Sequence, residues 1–181
     1  PEQALNYQAP FWTNQYNTVS LLTTVLPAGF RLLVREHRLN TGRRPTRYYK
    51  DMAKLPGVQL IDAFDDQFKY IRNADLIVTD NGSTGWEGLL LGKRVLTLAD
   101  SFYDAAGLAH RVRDPELLAR TIVEMLDMPP VGDATDHDDA LGRMLDAEWE
   151  TTVPVDATDA GAVLDLLARN LTERRLTEKV A

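Results

Sequence analysis

The sequence predicts an α/β fold: a doubly wound parallel sheet flanked by helices. Three observations predict it. Short apolar runs alternate with stretches of helical period along the chain. The apolar runs are unbroken rather than alternating, most clearly in DLIVTD (75–80), which suits a parallel sheet covered on both faces. A chain of 181 residues with 44% hydrophobic residues has the size and composition of one α/β domain around one core.

In chain order, the spacing predicts a helix over 14–26 with Val19, Leu22 and Leu26 on one face, ended by Pro27-Ala28-Gly29. FRLLV (30–34) reads as a buried strand, followed by an Arg-rich loop. Pro45 opens the next helix, RYYKDMAKL, and Pro56-Gly57 breaks it. VQLID (58–62) is a second strand, and DDQFKYIRNA a short helix with Phe68 and Ile71 inward. After the strand 75–80 comes a turn and helix, NGSTGWEGLLLG (81–92), then RVLTLA (94–99) as a fourth strand. Asp114 is an expected N-cap with Pro115 at the first helical position, and Leu118, Ile122 and Met125 continue the apolar stripe to Leu126. The segment 127–139 reads as a surface loop, and helices are expected around 138–149 and 158–172. With no internal repeat and no second core, residues 1–181 are expected to form a single domain.

The net charge of −7 argues against a nucleic-acid partner. Charge is unevenly spread: residues 31–54 hold eight Arg or Lys against Glu36 and Asp51, whereas 133–165 hold ten Asp or Glu against Arg143. A local basic surface on an acidic protein suits a small anionic ligand. There is no Cys, and His37, His110 and His137 lack metal-ligand spacing, so no metal and no cofactor is expected. No apolar run is long enough to span a bilayer. Pro1-Glu2 opens no signal peptide, and the chain is expected to start within a longer protein.

Ligands of open α/β sheets bind beyond the carboxyl ends of the strands, which selects the loops after Val34, Ile61, Thr79 and Leu98. In Thr79–Glu87, Gly82 can take a positive φ and let a ligand approach the backbone. Ser83 or Thr84 can cap the following helix and offer a hydroxyl. Its first-turn amides and dipole make an anion site, and Glu87 is placed to accept from two ribose hydroxyls. Equally, Gly85 and Gly88 can serve only close helix–sheet packing. At the other strand end, Arg35, His37 and Arg38 can neutralise a phosphate. Phe64 can lie against a nucleobase, although an aromatic here is more often core. Trp86 and Trp149 read as packing residues, and Asp80 and Asp100 as polar contacts without a role. One ring of the Tyr48-Tyr49 pair can pack while the other stays wet. The two selected segments are expected to face one another, with an amide-lined pocket at 82–87 opposite the Arg35–His37 tip.

Taken together, these segments resemble the C-terminal half of capsule polysaccharide biosynthesis proteins, glycosyltransferases of the GT-B type related to Kdo-transferases. The resemblance runs from Pro1-Glu2 to about Arg113. It includes Gln15 and Leu26-Pro27-Ala28-Gly29, then Arg35-Glu36-His37-Arg38 where the family has Lys-Glu-His-Pro, then Arg47-Tyr48-Tyr49 and Gly57-Val58-Gln59-Leu60. Its most specific part is Ala74–Thr79, Gly82–Leu89 and Gly92–Val95, against A-D-x-V-x-T, G-T-x-G-W-E-A-L and G-K-P-V; Phe102-Tyr103 follow at the expected place. The family's two prolines are replaced by Arg38 and Arg94.

The resemblance implies a Rossmann-like C-terminal domain of a GT-B fold. It implies Ser83, Thr84 and Glu87 at a nucleotide, with Gly82 and Gly85 in the turn and Arg35 and His37 near its phosphate. It further implies an N-terminal domain, outside this chain, that carries the general base and most of the acceptor site. The expected reaction is sugar transfer from a CMP- or UDP-linked donor, with CMP-Kdo favoured, to a capsular polysaccharide or glycolipid acceptor. The expected location is the cytoplasm, with peripheral association at the inner face of the membrane. Three rivals stand beside it: a UDP-N-acetylglucosamine 2-epimerase-like protein, matched by Val78–Ser83; a polyol-phosphate transferase; and a non-catalytic module of a polysaccharide export complex whose basic loop, around Arg43, Arg44 and Arg47, docks on a partner or on anionic lipid.

Overall fold

The computed structural model describes residues 9–101, 103 and 109–128, all within one compact unit, Pro1–Met144. The expected helices over 138–149 and 158–172, the loop beyond Met128 and Trp149 lie outside the described residues. The order is α1 (Gln15–Val25), β1 (Leu32–Arg35), a 3-10 turn (Arg38–Asn40), α2 (Thr46–Met52), β2 (Val58–Ile61), α3 (Gln67–Asn73), β3 (Ile77–Thr79), α4 (Ser83–Leu90), β4 (Val95–Thr97), β5 (His110–Arg111) and α5 (Pro115–Asp127).

The expected α/β class is what forms, with every strand pair parallel. Pairing gives two ladders, β1–β2 and β3–β4–β5. Among the described residues no ladder bond joins β1 to β3. Both nevertheless feed one hydrophobic cluster, through Leu32 of β1 and through Leu76 and Val78 of the β3 segment. β5 was not foreseen, because a two-residue strand of exposed His and Arg has no apolar signature.

Helix boundaries follow local chemistry. Asn14 caps α1 by accepting from the Asn17 amide at 3.1 Å. Asp66, rather than Asp65, caps α3, so that helix starts two residues later than the pattern suggested. Asp114 accepts from the Glu116 amide at 2.9 Å and Pro115 opens α5, as expected. β1 also starts late: Gly29 at φ +95° and the Phe30 amide bond to Pro27 hold Phe30 and Arg31 in the preceding turn.

Alternation along β4 explains the two-sided core. Leu96 enters a cluster with Leu22 of α1, with Leu118, Ile122 and Met125 of α5, and with Trp12, which precedes α1. Val95 enters the opposite cluster with Ile71, Ile77, Leu89 and Tyr103. The apolar stripe of α5 is buried as its spacing predicted. Phe68 departs from expectation: it lies on the exposed face of α3 with the Arg72 guanidinium 5.8 Å from its ring centroid, and Ile71 alone of the two turns inward. The β1–β2 ladder is likewise not covered on both faces, since Leu33 is 43% exposed and Gln59 is exposed.

Gly88 lies where a Cβ would overlap the Ile77 Cδ1, and a Cβ on Gly85 would sit 2.5 Å from the Tyr103 hydroxyl and 2.9 Å from Thr79 Cγ2. Both glycines therefore serve close approach of α4 to β3. The backbone carbonyl of Arg94 pairs with the Ile77 amide at 2.9 Å. Its Nη1 donates to the carbonyls of Met125, of Leu126 at 3.0 Å and of Met128 at 3.1 Å, capping α5. A proline here could make none of these side-chain bonds.

Candidate functional site

The carboxyl ends of β1, β2 and β3 bring the expected segments to one edge of the fold. The Arg35 guanidinium does not meet Glu87 directly. Its Nη1 donates to Gln67 Oε1 at 2.6 Å, and Gln67 Nε2 donates to Glu87 Oε2 at 2.5 Å. A single amide therefore spans from the tip of β1 to the second turn of α4. Only one orientation of that amide satisfies both neighbours, because a guanidinium cannot accept and a carboxylate cannot donate.

Arg35 is further fixed by Nη2 donating to the Ala63 carbonyl at 2.7 Å, which also accepts from Arg38 Nε at 3.0 Å. Arg38 thus ties the 3-10 turn to the loop after β2. Two of Arg35's five N–H groups are used here, and its buried Nε has no partner among the described residues. A buried donor without an acceptor is costly and uncommon.

A second bridge has the same chemistry. Arg44 Nη2 donates to Gln15 Oε1 at 2.5 Å, and Gln15 in turn hydrogen-bonds the half-buried Asp80 at the end of β3. Arg44 Nε and the Tyr49 hydroxyl both donate to Glu36 Oε2, at 3.0 and 3.1 Å, and Arg44 lies over the Tyr48 ring at 4.8 Å. The two tyrosines meet edge to face at 5.4 Å, and both are half-buried, so neither is the fully wet ring that was expected. Burial pushes the Tyr49 hydroxyl pKa up, helped by the adjacent Glu36 carboxylate.

The start of α4 differs from expectation in two respects. Gly82 has φ −74°, not a positive value; its smallness matters instead because a Cβ would lie 3.1 Å from Thr79 Oγ1, which accepts from the Gly82 amide at 3.2 Å. Gly82 is also the N-cap, with no side-chain capping bond, so neither Ser83 nor Thr84 caps the helix. Both lie in its first turn, and Ser83 bonds Glu87 one turn on. The Tyr103 hydroxyl donates to the Gly82 carbonyl at 3.0 Å and pins the turn. The amides of Ser83 and Thr84 make no hydrogen bond among the described residues, as helix starts leave them. Partial burial raises the Glu87 pKa, opposed by the Ser83 hydrogen bond and by the charge of Arg35. Burial likewise raises Asp80, opposed by its bond to Gln15.

His37 is exposed and structural: its Nδ1 accepts from the Leu39 amide at 3.3 Å, capping the 3-10 turn. Phe64 is not core; it is 65% exposed, at the edge of a cavity of about 230 Å³ also lined by Arg35, Glu36, Tyr48, Tyr49 and Met52. Asp62 accepts from the Phe64 amide at 2.9 Å and fixes that loop. Trp86 packs against the α3–α4 cluster, as expected. Asp100 holds Arg111 at 2.7 Å and Arg113 at 3.0 Å beside β5, away from these contacts in the chain, and the Arg113 hydrogen bond, helped by both positive charges, holds its pKa down. Among the described residues no helix is long and apolar enough to cross a membrane, and no group of three His, Asp or Glu is placed to hold a metal ion.

Sequence reasoning singled out Arg35, the 82–85 turn and Glu87, but not Gln67. Gln67 sits at a helix start in a loop the strand-end rule had selected, and that position is the signal that could have found it.

No family model and no curated protein matches the chain. One solved structure, the glycotransferase of kitacinnamycin, is similar over 74% of this chain and 35% of its own, at 18% identity and a TM-score of 0.46. The chain thus spans about a third of that protein's length.

Proposed function

We propose that this chain is the donor-binding domain of a glycosyltransferase, holding the nucleotide of a nucleotide-linked sugar at the carboxyl ends of β1 and β3. The observation that carries the reading is the Arg35–Gln67–Glu87 chain beside the open amides of Ser83 and Thr84. A guanidinium with unused N–H groups and a helix start suit a phosphate. A half-buried carboxylate one turn along suits sugar hydroxyls. The exposed face of Phe64, at the neighbouring cavity, gives a base a surface to lie against.

In the reaction proposed, negative charge grows on the departing phosphate, and positioned donors stabilise it. The base that deprotonates the acceptor would come from a further domain. The resemblance to capsule polysaccharide proteins favours CMP-Kdo as donor and a polysaccharide or glycolipid as acceptor. Calorimetric titration with CMP and UMP tests the reading. Binding of either, weakened by about 1.5–3 kcal/mol in Glu87→Ala, is expected for the loss of hydrogen bonds to a charged group. Absence of binding by the folded chain overturns it. This chain alone should show no sugar transfer, and measurable turnover would remove the need for a second domain.

A further inference from the structure

We infer that Gln67 makes recognition of the phosphate and of the ribose hydroxyls a single event. The inference rests on the donor-site reading above and gives a role there to a residue that neither motif nor resemblance singles out.

Arg35 and Glu87 carry opposite charges on different elements, and the side chain between them is a neutral amide bonded to both, at 2.6 and 2.5 Å. Glu87 is partly buried and feels the charge of Arg35. An intervening amide keeps guanidinium and carboxylate from closing on each other, so both retain capacity for a ligand. Arg35 has N–H groups beyond the two bonds to Gln67 and Ala63. A carboxylate accepts about four hydrogen bonds, and Gln67 and Ser83 supply two to Glu87.

Two effects follow from the linkage. An anion on Arg35 polarises the Arg–amide–carboxylate chain, and bonds along such a chain strengthen one another. Ordering either end also orders the other, so the cost of immobilisation falls once rather than twice. Gln67 therefore selects a ligand carrying a diol and an anion on one body: a ribonucleotide in preference to a deoxyribonucleotide or a nucleoside. Gln67 is a positioning residue, acting through Arg35 and Glu87.

The test is a four-ligand cycle on the whole chain, by calorimetry or NMR titration. The probes are whichever of CMP and UMP binds, its 2′-deoxy form, and the two corresponding nucleosides. In the unaltered protein the 2′-hydroxyl should be worth about tenfold in affinity with phosphate present, and only about two- to threefold without it, a non-additivity typical of coupled groups. Gln67→Met, similar in volume but unable to bridge, should make the two factors equal. Gln67→Glu should do the same near neutral pH, where two facing carboxylates repel. It should recover coupling, relative to the unaltered protein at the same pH, under acidic conditions, where a shared proton lets the new carboxyl donate to Glu87. Coupling that persists in Gln67→Met overturns the inference while leaving the donor site intact. Should Gln67→Met fail to fold, the pH pair in Gln67→Glu decides, and additive factors at both pH values overturn it. If no ribonucleotide binds the unaltered protein, the donor-site reading falls and this inference with it.

Discussion

The two ladders share parallel geometry and differ in almost everything else. In β4, Val95, Leu96 and Thr97 are all fully buried, with helices packed on both faces. In β1 and β2 the middle residues, Leu33 and Gln59, face solvent. Arginines and a glutamate crowd the end of β1, whereas β4 runs on into Leu98 and Ala99, both buried. Stability is thus concentrated in one ladder, and the other is left to present charge. Arg35 and Glu36 at the end of β1 stay half-buried with polar partners, since burying such charges without partners is costly.

Substitutions at matching positions test that division. The largest effect is expected from Leu96→Ala, which leaves a cavity in the main cluster and should cost about 2–5 kcal/mol by denaturant unfolding. A loss below about 1 kcal/mol would mean that β4 is not the centre of the core. Arg94→Ala comes next: removing a guanidinium from three carbonyls at the end of α5 should cost about 1–2 kcal/mol.

Glu87→Gln sharpens the comparison differently, by asking whether the polar edge gives up stability for recognition. Burial raises the folded-state pKa of Glu87, so its ionisation opposes folding. Its contribution is most favourable at low pH and declines as pH rises from the ordinary glutamate value through the raised one. Glu87→Gln should flatten the melting-temperature profile across that window while weakening nucleotide binding. An unchanged profile would show that the carboxylate sits without strain. The smallest effect is expected for Leu33→Ala, under about 1 kcal/mol, since nearly half of that side chain is already exposed.

Legibility in the sequence followed the same division. Where packing sets the structure, periodicity served best: the stripe of Leu118, Ile122 and Met125 and the Asp114-Pro115 start appear as expected, and the strand expected over 75–80 forms over Ile77–Thr79. Where hydrogen bonds set it, residue type alone misled. Gly82 reads as a positive-φ glycine and is instead a close-approach position; of the two readings of Phe64, its exposure removes the core one; and the turn-capping bond of His37 has no counterpart in the sequence pattern. Gln67 and Gln15 were illegible as bridges because their roles depend on partners 20 to 32 residues away, or farther, in Gln15's case. No local pattern encodes those encounters.

Arg94 gives the fold an economy of fasteners. One residue contributes a backbone bond to β3, begins the approach to β4 and closes the frayed end of α5. β3, β4 and α5 are thereby tied through a single residue, its carbonyl holding the strand and its guanidinium the helix terminus. The rim formed by β1 and α3 is fastened differently, by side-chain bonds such as that from Arg35 to Gln67.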